Sequence, residues 1–331
     1  MEIKAADVAK LRQMTGAGMM DCKKALVEAN GDYERAKEII REKGKLLAAK
    51  RADRETSEGA VIAKVNGEKA IVVGLGCETD FVAKNAEFQA LAEAIAEAAI
   101  VNFPADKDAL MACVLADGRT VEAAVTEQTG KTGEKHMIVG YETVEAPFIS
   151  AYMHKITGTL AAVVGINKVF DEQVAKGVAM QVASMNPVAV SAESVPQSVI
   201  DTELKTAEQK TKEELVQKAV DAALTKAGIN PAHVDSEAHI ESNQAKGWIT
   251  AEQAEQAREI IKTVSAEKAA NLPEQMVANI AKGRLQKFFK EQTLEEQGYQ
   301  MGDGKTAVKD VVKAADAEAK ILTFKRISLA D

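Results

Sequence analysis

The sequence has 331 residues, of which 46% are apolar, 28% are charged and 4% are aromatic. This composition is typical of a folded globular protein, and the length predicts two or three folded units. No apolar run approaches the roughly 18 residues that span a bilayer, and the first residues lack the layout of a signal peptide. The three widely spaced cysteines form neither a disulfide framework nor a metal motif. We therefore expect a reduced, cytoplasmic protein without a metal or cofactor.

The charge is distributed unevenly along the chain. Residues 1–54 contain 13 basic and 9 acidic side chains, a net charge of +4, so the remainder carries −12 of the total of −8. A basic segment of this kind suits an acidic partner surface or a nucleic acid. The basic residues are not interleaved with aromatic residues, and Tyr33 is the only aromatic residue among them. This pattern disfavours nucleic acid as a partner. The lack of an apolar run long enough to span a bilayer disfavours a membrane.

Residues 1–45 predict a small module of three short helices. Gly16 and Gly18 interrupt the first apolar helical pattern, and Asp21 is a candidate N-cap for the second helix. Asp32 is a candidate N-cap for the third. Because residues 46–58 continue a charged stretch that begins near residue 43, we predict that they form a linker.

From Gly59 the apolar pattern changes to alternation, which is typical of a strand. The dipeptide Asn66-Gly67 predicts a hairpin turn, and residues 70–75 predict the returning strand. A loop and a helix follow, and residues 137–141 predict a third strand. Residues 59–145 are therefore predicted to form one half of a folded core.

A similar order of elements recurs about 90 residues later. Residues 148–154 and 160–166 predict two strands around a turn at Thr157-Gly158, and a helix follows. Residues 321–327 predict a strand that joins this second sheet. We therefore predict a duplicated α+β core of antiparallel sheets with helices, whose second half comprises residues 146–200 and 272–331.

Residues 201–271 predict an inserted antiparallel coiled-coil hairpin. They are largely polar, with a narrow apolar stripe, and Thr250 with Gln253 forms a capping box at the start of the returning helix. A further helix is predicted after Pro273, with Met276, Ile280 and Phe288 on its buried side.

Three patterns suggest chemistry, and each has a simpler interpretation. The run Gly130-Lys131-Thr132 ends like a phosphate-binding loop, but Val125 stands where that loop requires glycine, so we interpret it as an ordinary loop. The spacing of His233 and His239 matches no zinc motif, which favours a solvated turn. The cysteines have no neighbouring histidine in sequence and are interpreted as core residues. These patterns predict a protein that is not an enzyme.

Two sets of apolar residues leave alternatives open. Phe81 lies between a predicted strand and a predicted helix, among polar residues, and is either a buried anchor or a side chain that enters a partner's pocket. On burial preferences alone the anchor is favoured. Met19 and Met20 are adjacent on a predicted helix, so at least one of them is expected to be exposed, and exposed methionine suits an adaptable binding surface.

Several segments of the sequence resemble a known protein family. The segment 11–26, with the run Thr15-Gly16-Ala17-Gly18-Met19-Met20-Asp21-Cys22-Lys23-Lys24, looks like the N-terminal signature of bacterial-type translation elongation factor Ts. The segment Thr79-Asp80-Phe81-Val82-Ala83-Lys84 looks like its second signature. Weaker matches occur at Tyr152 with His154 and at residues 283–288. The resemblance covers nearly the whole chain, in order.

The resemblance implies a fold, a partner and site residues. In this family a ubiquitin-associated-like three-helix module and the first core half grip the GTPase domain of elongation factor Tu, and the second core half contacts its third domain. The resemblance implies a guanine-nucleotide exchange factor that disturbs the magnesium and phosphate site of the partner and thereby promotes GDP release. The implied site residues are Thr79, Asp80, Phe81 and Val82 in the second signature, Arg12, Met19, Met20 and Lys23 on the first module, and His154 on the second core half.

The sequence also departs from the family pattern. The predicted hairpin 201–271 is longer than in the common bacterial form, and Gln181 stands where the family often has histidine, which puts the second-half contact in question. The sequence ends soon after the last predicted strand, so we expect no additional C-terminal helix. Two alternative functions remain: a ubiquitin-associated-like adaptor or nascent-chain binder, for which residues 1–45 would suffice, and an enzyme that uses Cys77 or Cys22.

Overall fold

The computed structural model describes residues 3–330. Its first three helices are α1 (Ala5–Thr15), α2 (Met19–Glu28) and α3 (Tyr33–Lys50). Gly16 ends α1 in the left-handed conformation, at φ 69°, which glycine adopts without steric cost. The Asp32 side chain accepts hydrogen bonds from the first backbone amides of α3, as predicted.

Two features of this module differ from the sequence prediction. Helix α2 begins at Met19 with Gly18 as its N-cap, so Asp21 lies inside the first turn, where its charge still suits the positive end of the helix. Helix α3 continues to Lys50, so residues 46–50 are helical and do not belong to a linker. Helix α3 packs against a helix of the first core half.

The first core half is a three-stranded antiparallel sheet with the order β1-β2-β3. Its elements are β1 (Glu58–Asn66), β2 (Lys69–Cys77), α4 (Asp80–Ala83), α5 (Ala86–Asn102), α6 (Lys107–Ala112), α7 (Val121–Thr132) and β3 (Met137–Glu145). Helix α5 packs on β1 and β2, and the buried ring of Phe88 contributes to the apolar core between them.

The second core half repeats this arrangement with the order β4-β5-β6. Its elements are β4 (Phe148–Met153), β5 (Leu160–Ile166), α8 (Glu172–Met185), α13 (Val308–Ala315) and β6 (Ile321–Ser328). Helix α8 packs on β4 and β5 as α5 packs on β1 and β2. The predicted α+β class, with two small antiparallel sheets, is therefore confirmed.

The two sheets pack face to face through a shared apolar cluster. The cluster joins both halves and comprises Val61, Ala63, Ala70, Val72, Val144, Ala146, Ala161, Val163, Ile327 and Leu329. A Cβ atom added at Gly165 would lie only 2.8 Å from the Cβ of Ala146, so glycine allows the sheets to approach closely. Each sheet thus has one face on the other sheet and one face under a helix, which buries both faces.

Residues 191–296 form a separate compact unit. Its helices are α9 (Gln197–Lys226), α10 (Glu237–Ala245), α11 (Ala251–Ala270) and α12 (Glu274–Gln292). Both α11 and α12 pack along α9, so the helix predicted after Pro273 lies in this unit and not in the second core half. This unit has its own apolar cluster: Val220, Leu224, Ile229, Val234, Ile240, Ile249, Ala254 and Ala257.

The buried side of α12 differs from the prediction. Val277 and Ala281 are buried, whereas Met276 and Ile280 are exposed. The buried stripe of α12 therefore runs one position after the predicted one. Along residues 3–330, no helix combines the length and the apolar content that crossing a membrane requires.

Candidate functional site

A short turn after β2 presents one aromatic side chain to solvent. Strand β2 ends at Cys77, and Thr79 caps the single-turn helix α4, its Oγ1 accepting a hydrogen bond from the Val82 amide at 3.4 Å. Ala83 is buried in the core of the first half, whereas Phe81 is 83% exposed. The interpretation of Phe81 as a buried anchor is therefore wrong. Aromatic side chains such as phenylalanine are enriched where proteins bind partners, so an exposed Phe81 is suited to such a contact.

The residue before Phe81 carries a negative charge. The Asp80 carboxylate lies 2.7 Å from the Lys84 ammonium group, one helical turn away. The hydrogen bond from Lys84 lowers the pKa of Asp80 below its ordinary value, so the carboxylate is ionised at neutral pH. The Lys84 side chain is 77% exposed and the Asp80 side chain 47%, so a partner surface would be able to compete for either charge.

The turn that carries Phe81 is hydrogen-bonded to Glu134, a residue that was not predicted from the sequence. Its carboxylate accepts hydrogen bonds from the Thr79 amide at 3.0 Å and from the Thr79 hydroxyl at 2.7 Å. Glu134 lies between α7 and β3, 55 residues from Thr79. No local pattern predicts such a contact, since only the folded sheet brings β3 beside the end of β2.

The first-module residues lie on the three-helix module. Arg12 is exposed near the end of α1, and Lys23 is exposed on α2. Met19 and Met20, in the first turn of α2, are 48% and 63% exposed. Both methionines therefore face solvent, whereas the sequence required only one of them to do so.

His154 follows β4 at the start of a hairpin turn. The Tyr152 hydroxyl and His154 Nδ1 lie 3.0 Å apart, which orients the imidazole ring. Ile156, in the same turn, is 90% exposed, and the sequence analysis did not select it. The only sequence feature that could have indicated an exposed Ile156 is its position, as a single apolar residue, inside the predicted turn.

Gln181 belongs to the interior of the second core half. It is fully buried in α8, and its amide group donates to Gln297 Oε1 and to the Gly298 carbonyl, both at 3.2 Å. Its Oε1 accepts from the Gln300 amide at 2.9 Å. The side chain thus holds residues 297–300 against α8. In this chain the Gln181 amide is buried and hydrogen-bonded within the second core half, so its side chain is not exposed to a partner.

The run Gly130-Lys131-Thr132 is the last turn of helix α7 and not a loop. Backbone amides inside a helix already donate to preceding carbonyls, so they do not wrap a phosphate group. Gly130 serves packing instead, since its Cα lies against that of Gly44 where α7 crosses α3. A groove of about 640 Å³ lies beside this crossing, and in it Arg119 is already paired with Glu127 at 2.7 Å.

The cysteines and histidines that the sequence offered for chemistry do not form a reactive or metal-binding site in the described residues. Cys22 and Cys77 are buried, and burial raises the pKa of Cys77 to about 12, which leaves no appreciable thiolate at neutral pH. His239 contacts Asp235 within the turn region of the inserted unit. Within residues 3–330, no three His, Cys, Asp or Glu side chains are grouped so as to hold a metal ion.

The fold and this site define an α+β protein with a duplicated core that presents an isolated aromatic side chain to solvent. A family described as "Elongation factor TS" matches residues 78–229 and 219–331. Proteins named elongation factor Ts from Phocaeicola vulgatus, Bacteroides thetaiotaomicron and Porphyromonas gingivalis are 55%, 54% and 37% identical, each over 329 residues and 99% of both chains. The chain belongs to the elongation factor Ts family. An adaptor that needs only residues 1–45 is not favoured by matches of this length.

Proposed function

We propose that this protein is a guanine-nucleotide exchange factor that promotes release of GDP from elongation factor Tu during translation elongation. Membership of the elongation factor Ts family supplies the partner. The observation that carries the proposal is the 83% exposure of Phe81 on a turn that matches the family signature Thr79-Asp80-Phe81-Val82.

The proposed mechanism is a coupling between two binding events and involves no covalent chemistry. Phe81 enters a pocket near the magnesium and phosphate site of elongation factor Tu, and the ionised Asp80 acts beside it on the magnesium side. Because GDP is held by Mg²⁺ and oriented phosphate donors, disturbing them weakens its binding. By reciprocity, bound GDP weakens binding of the exchange factor by the same factor. The factor thus stabilises the nucleotide-free state, and GTP then displaces it.

Two further surfaces are proposed to hold the partner. The first is on the N-terminal module and includes Arg12, Met19, Met20 and Lys23, where flexible apolar side chains beside basic groups suit an adaptable contact with the GTPase domain. The second includes His154 on the second core half and contacts the third domain. In this proposal the N-terminal module and the first core half contact the GTPase domain, the second core half contacts the third domain, and the inserted unit is a separate part of the chain.

The experiment is a GDP-release assay with elongation factor Tu and a fluorescent GDP analogue. We expect Phe81→Ala to slow release about 5- to 150-fold, the usual range of allosteric coupling, with an unchanged melting temperature because the ring is exposed. The control variant is Val101→Ala, which also shortens an exposed apolar side chain of the first core half and should not alter release. Release at the wild-type rate from Phe81→Ala would remove Phe81 from the mechanism.

A further inference from the structure

The turn that carries Phe81 is anchored by two carboxylates. Glu134 binds the backbone amide and the hydroxyl of Thr79, as described. Because the Thr79 hydroxyl donates to Glu134, its oxygen remains free to accept from the Val82 amide and so to cap α4. The backbone of Glu134 is itself fixed, since its amide donates to Thr132 Oγ1 at 3.1 Å.

The second carboxylate, Glu78, connects the turn to the end of α3. It accepts two hydrogen bonds from Arg51 Nη1, at 2.7 and 2.9 Å, and one from the Lys135 amide. Burial alone would raise the pKa of Glu78, but the Lys135 amide and Arg51 outweigh it and hold the pKa below its ordinary value. The Lys135 ammonium group donates to the carbonyls of Ala52 and Arg54, at 2.6 and 2.8 Å.

The far end of the turn is held by Ala83, which is buried in the core of the first half, and Val82 packs against the same core. Helix α4 has four residues, too few for a helix to be stable by itself, and the ring of Phe81 has almost no packing of its own. The direction of Phe81 therefore depends on how the backbone is held on each side of it, after it by Ala83 and before it by residues 78 and 79. Both of those residues are bonded to the connection between α7 and β3.

We propose that Glu134 and Glu78 are positioning residues that hold the Phe81 turn in the orientation that nucleotide exchange requires, with Arg51 joining that turn to the end of the N-terminal module. This inference rests on the proposed role of Phe81. Neither carboxylate needs to touch the partner. Each acts through Phe81, because a small misplacement of a group at a binding site is enough to slow a reaction by up to about 100-fold.

The test is a double-mutant cycle in the full-length protein, measured as GDP release at saturating exchange factor. Glu134→Ala should lower the rate at least about tenfold, and Glu134→Gln, which keeps one acceptor oxygen, should recover part of it. In the Phe81→Ala variant, Glu134→Ala should not slow GDP release further, because the Phe81 ring that Glu134 orients is already absent. Glu127→Ala is the matched control, since it also removes a partly buried carboxylate of the α7 region, paired with Arg119, and should release GDP at the wild-type rate.

A structural role alone would give a different result. If Glu134→Ala only destabilised the fold, its effect would persist in the Phe81→Ala background and follow the melting temperature, and the inference would be overturned. Wild-type release by Glu134→Ala would overturn it as well. If wild-type protein itself did not accelerate release, the proposed function would fail first, so the two failures are distinguishable.

The role of Glu78 is tested by changing Arg51, the cation with which it pairs. Arg51→Met removes both hydrogen bonds to Glu78. It should slow GDP release when Phe81 is present and have no effect in the Phe81→Ala variant, as expected for Glu134→Ala. Arg51→Lys keeps the charge and should recover part of the rate. Equal slowing by Arg51→Met with and without Phe81 would show that Arg51 acts elsewhere, and the Glu78 anchor would be withdrawn.

Discussion

Phe81 shows how much a single residue's role depends on what surrounds it. The sequence places it between a strand and a helix in polar company, where burial preferences favour an anchor and the family resemblance favours a contact. Its exposure excludes the buried anchor, and the partner contact stays a prediction. The residues that orient it were not predictable, because Glu134 and Thr79 are 55 positions apart and meet only after three strands have paired.

His136 is the residue whose protonation should link pH to stability. It is 7% exposed, its Nδ1 lies 2.9 Å from the Glu134 carbonyl oxygen, and its Nε2 has no hydrogen-bond partner within residues 3–330. Burial lowers its pKa in the folded protein. The unfolded chain therefore binds a proton at a higher pH than the folded protein does.

The sign of the pH dependence follows. The free energy of unfolding is unaffected by His136 above the ordinary pKa of about 6.5, and it falls as the pH is lowered from there towards the depressed folded pKa, by up to about 1.4 kcal/mol per pH unit. His136→Gln keeps a donor for the Glu134 carbonyl and should abolish this dependence. Urea unfolding of both proteins between about pH 5 and pH 8 measures it. Parallel curves for the two proteins would contradict the prediction.

At the scale of elements, local patterns were informative where the pairing partner is close in sequence. The alternation from Gly59, the Asn66-Gly67 turn and the repeated hairpin all follow from neighbours, and the structure has these elements as β1, β2, β4 and β5. Helix α3 extends beyond its predicted end, and it packs against α7, about 80 residues later. A charged composition resembles a linker until its packing partner is known.

The crossing of α3 and α7 gives a prediction at this scale. A Cβ atom at Gly130 would lie 3.2 Å from the Cα of Gly44, whereas a Cβ atom at Gly283 of α12 would meet nothing within 4 Å. Gly130→Val should therefore lower the free energy of unfolding by about 1–3 kcal/mol through overpacking. Gly283→Val should change it by less than about 0.5 kcal/mol.

Chemical denaturation followed by circular dichroism compares the two variants, and hydrogen exchange of the α3 amides locates the change. Faster exchange in α3 is expected for Gly130→Val alone. If both variants unfold at the same denaturant concentration, the close helix crossing does not contribute to stability.

For the whole molecule, the prediction concerns deletion of the compact unit formed by residues 191–296. Its apolar cluster lies within residues 191–296, and α12 packs on α9. Deleting residues 197–292 with a flexible linker should leave a cooperatively melting core that still accelerates GDP release in a Phe81-dependent manner. The shorter deletion of 205–268 should instead strip α12 of its partner helix and expose Val277 and Ala281.

Thermal melting and the GDP-release assay check both deletion variants. A cooperative transition is expected for the longer deletion and a broadened one, with binding of a hydrophobic dye, for the shorter. Loss of the cooperative transition in the longer deletion would mean that the core depends on the inserted unit.

The amino-acid sequence by itself determined the α+β class, the duplicated hairpins and the family, because alternation, turn residues and long signatures are local properties of the chain. The tertiary structure alone decided that Phe81 faces solvent, that Gln181 is an interior residue and that Glu134 and Glu78 hold the Phe81 turn. Burial and hydrogen bonding between distant residues are set when sheets and helices pack, and no window of sequence contains both partners.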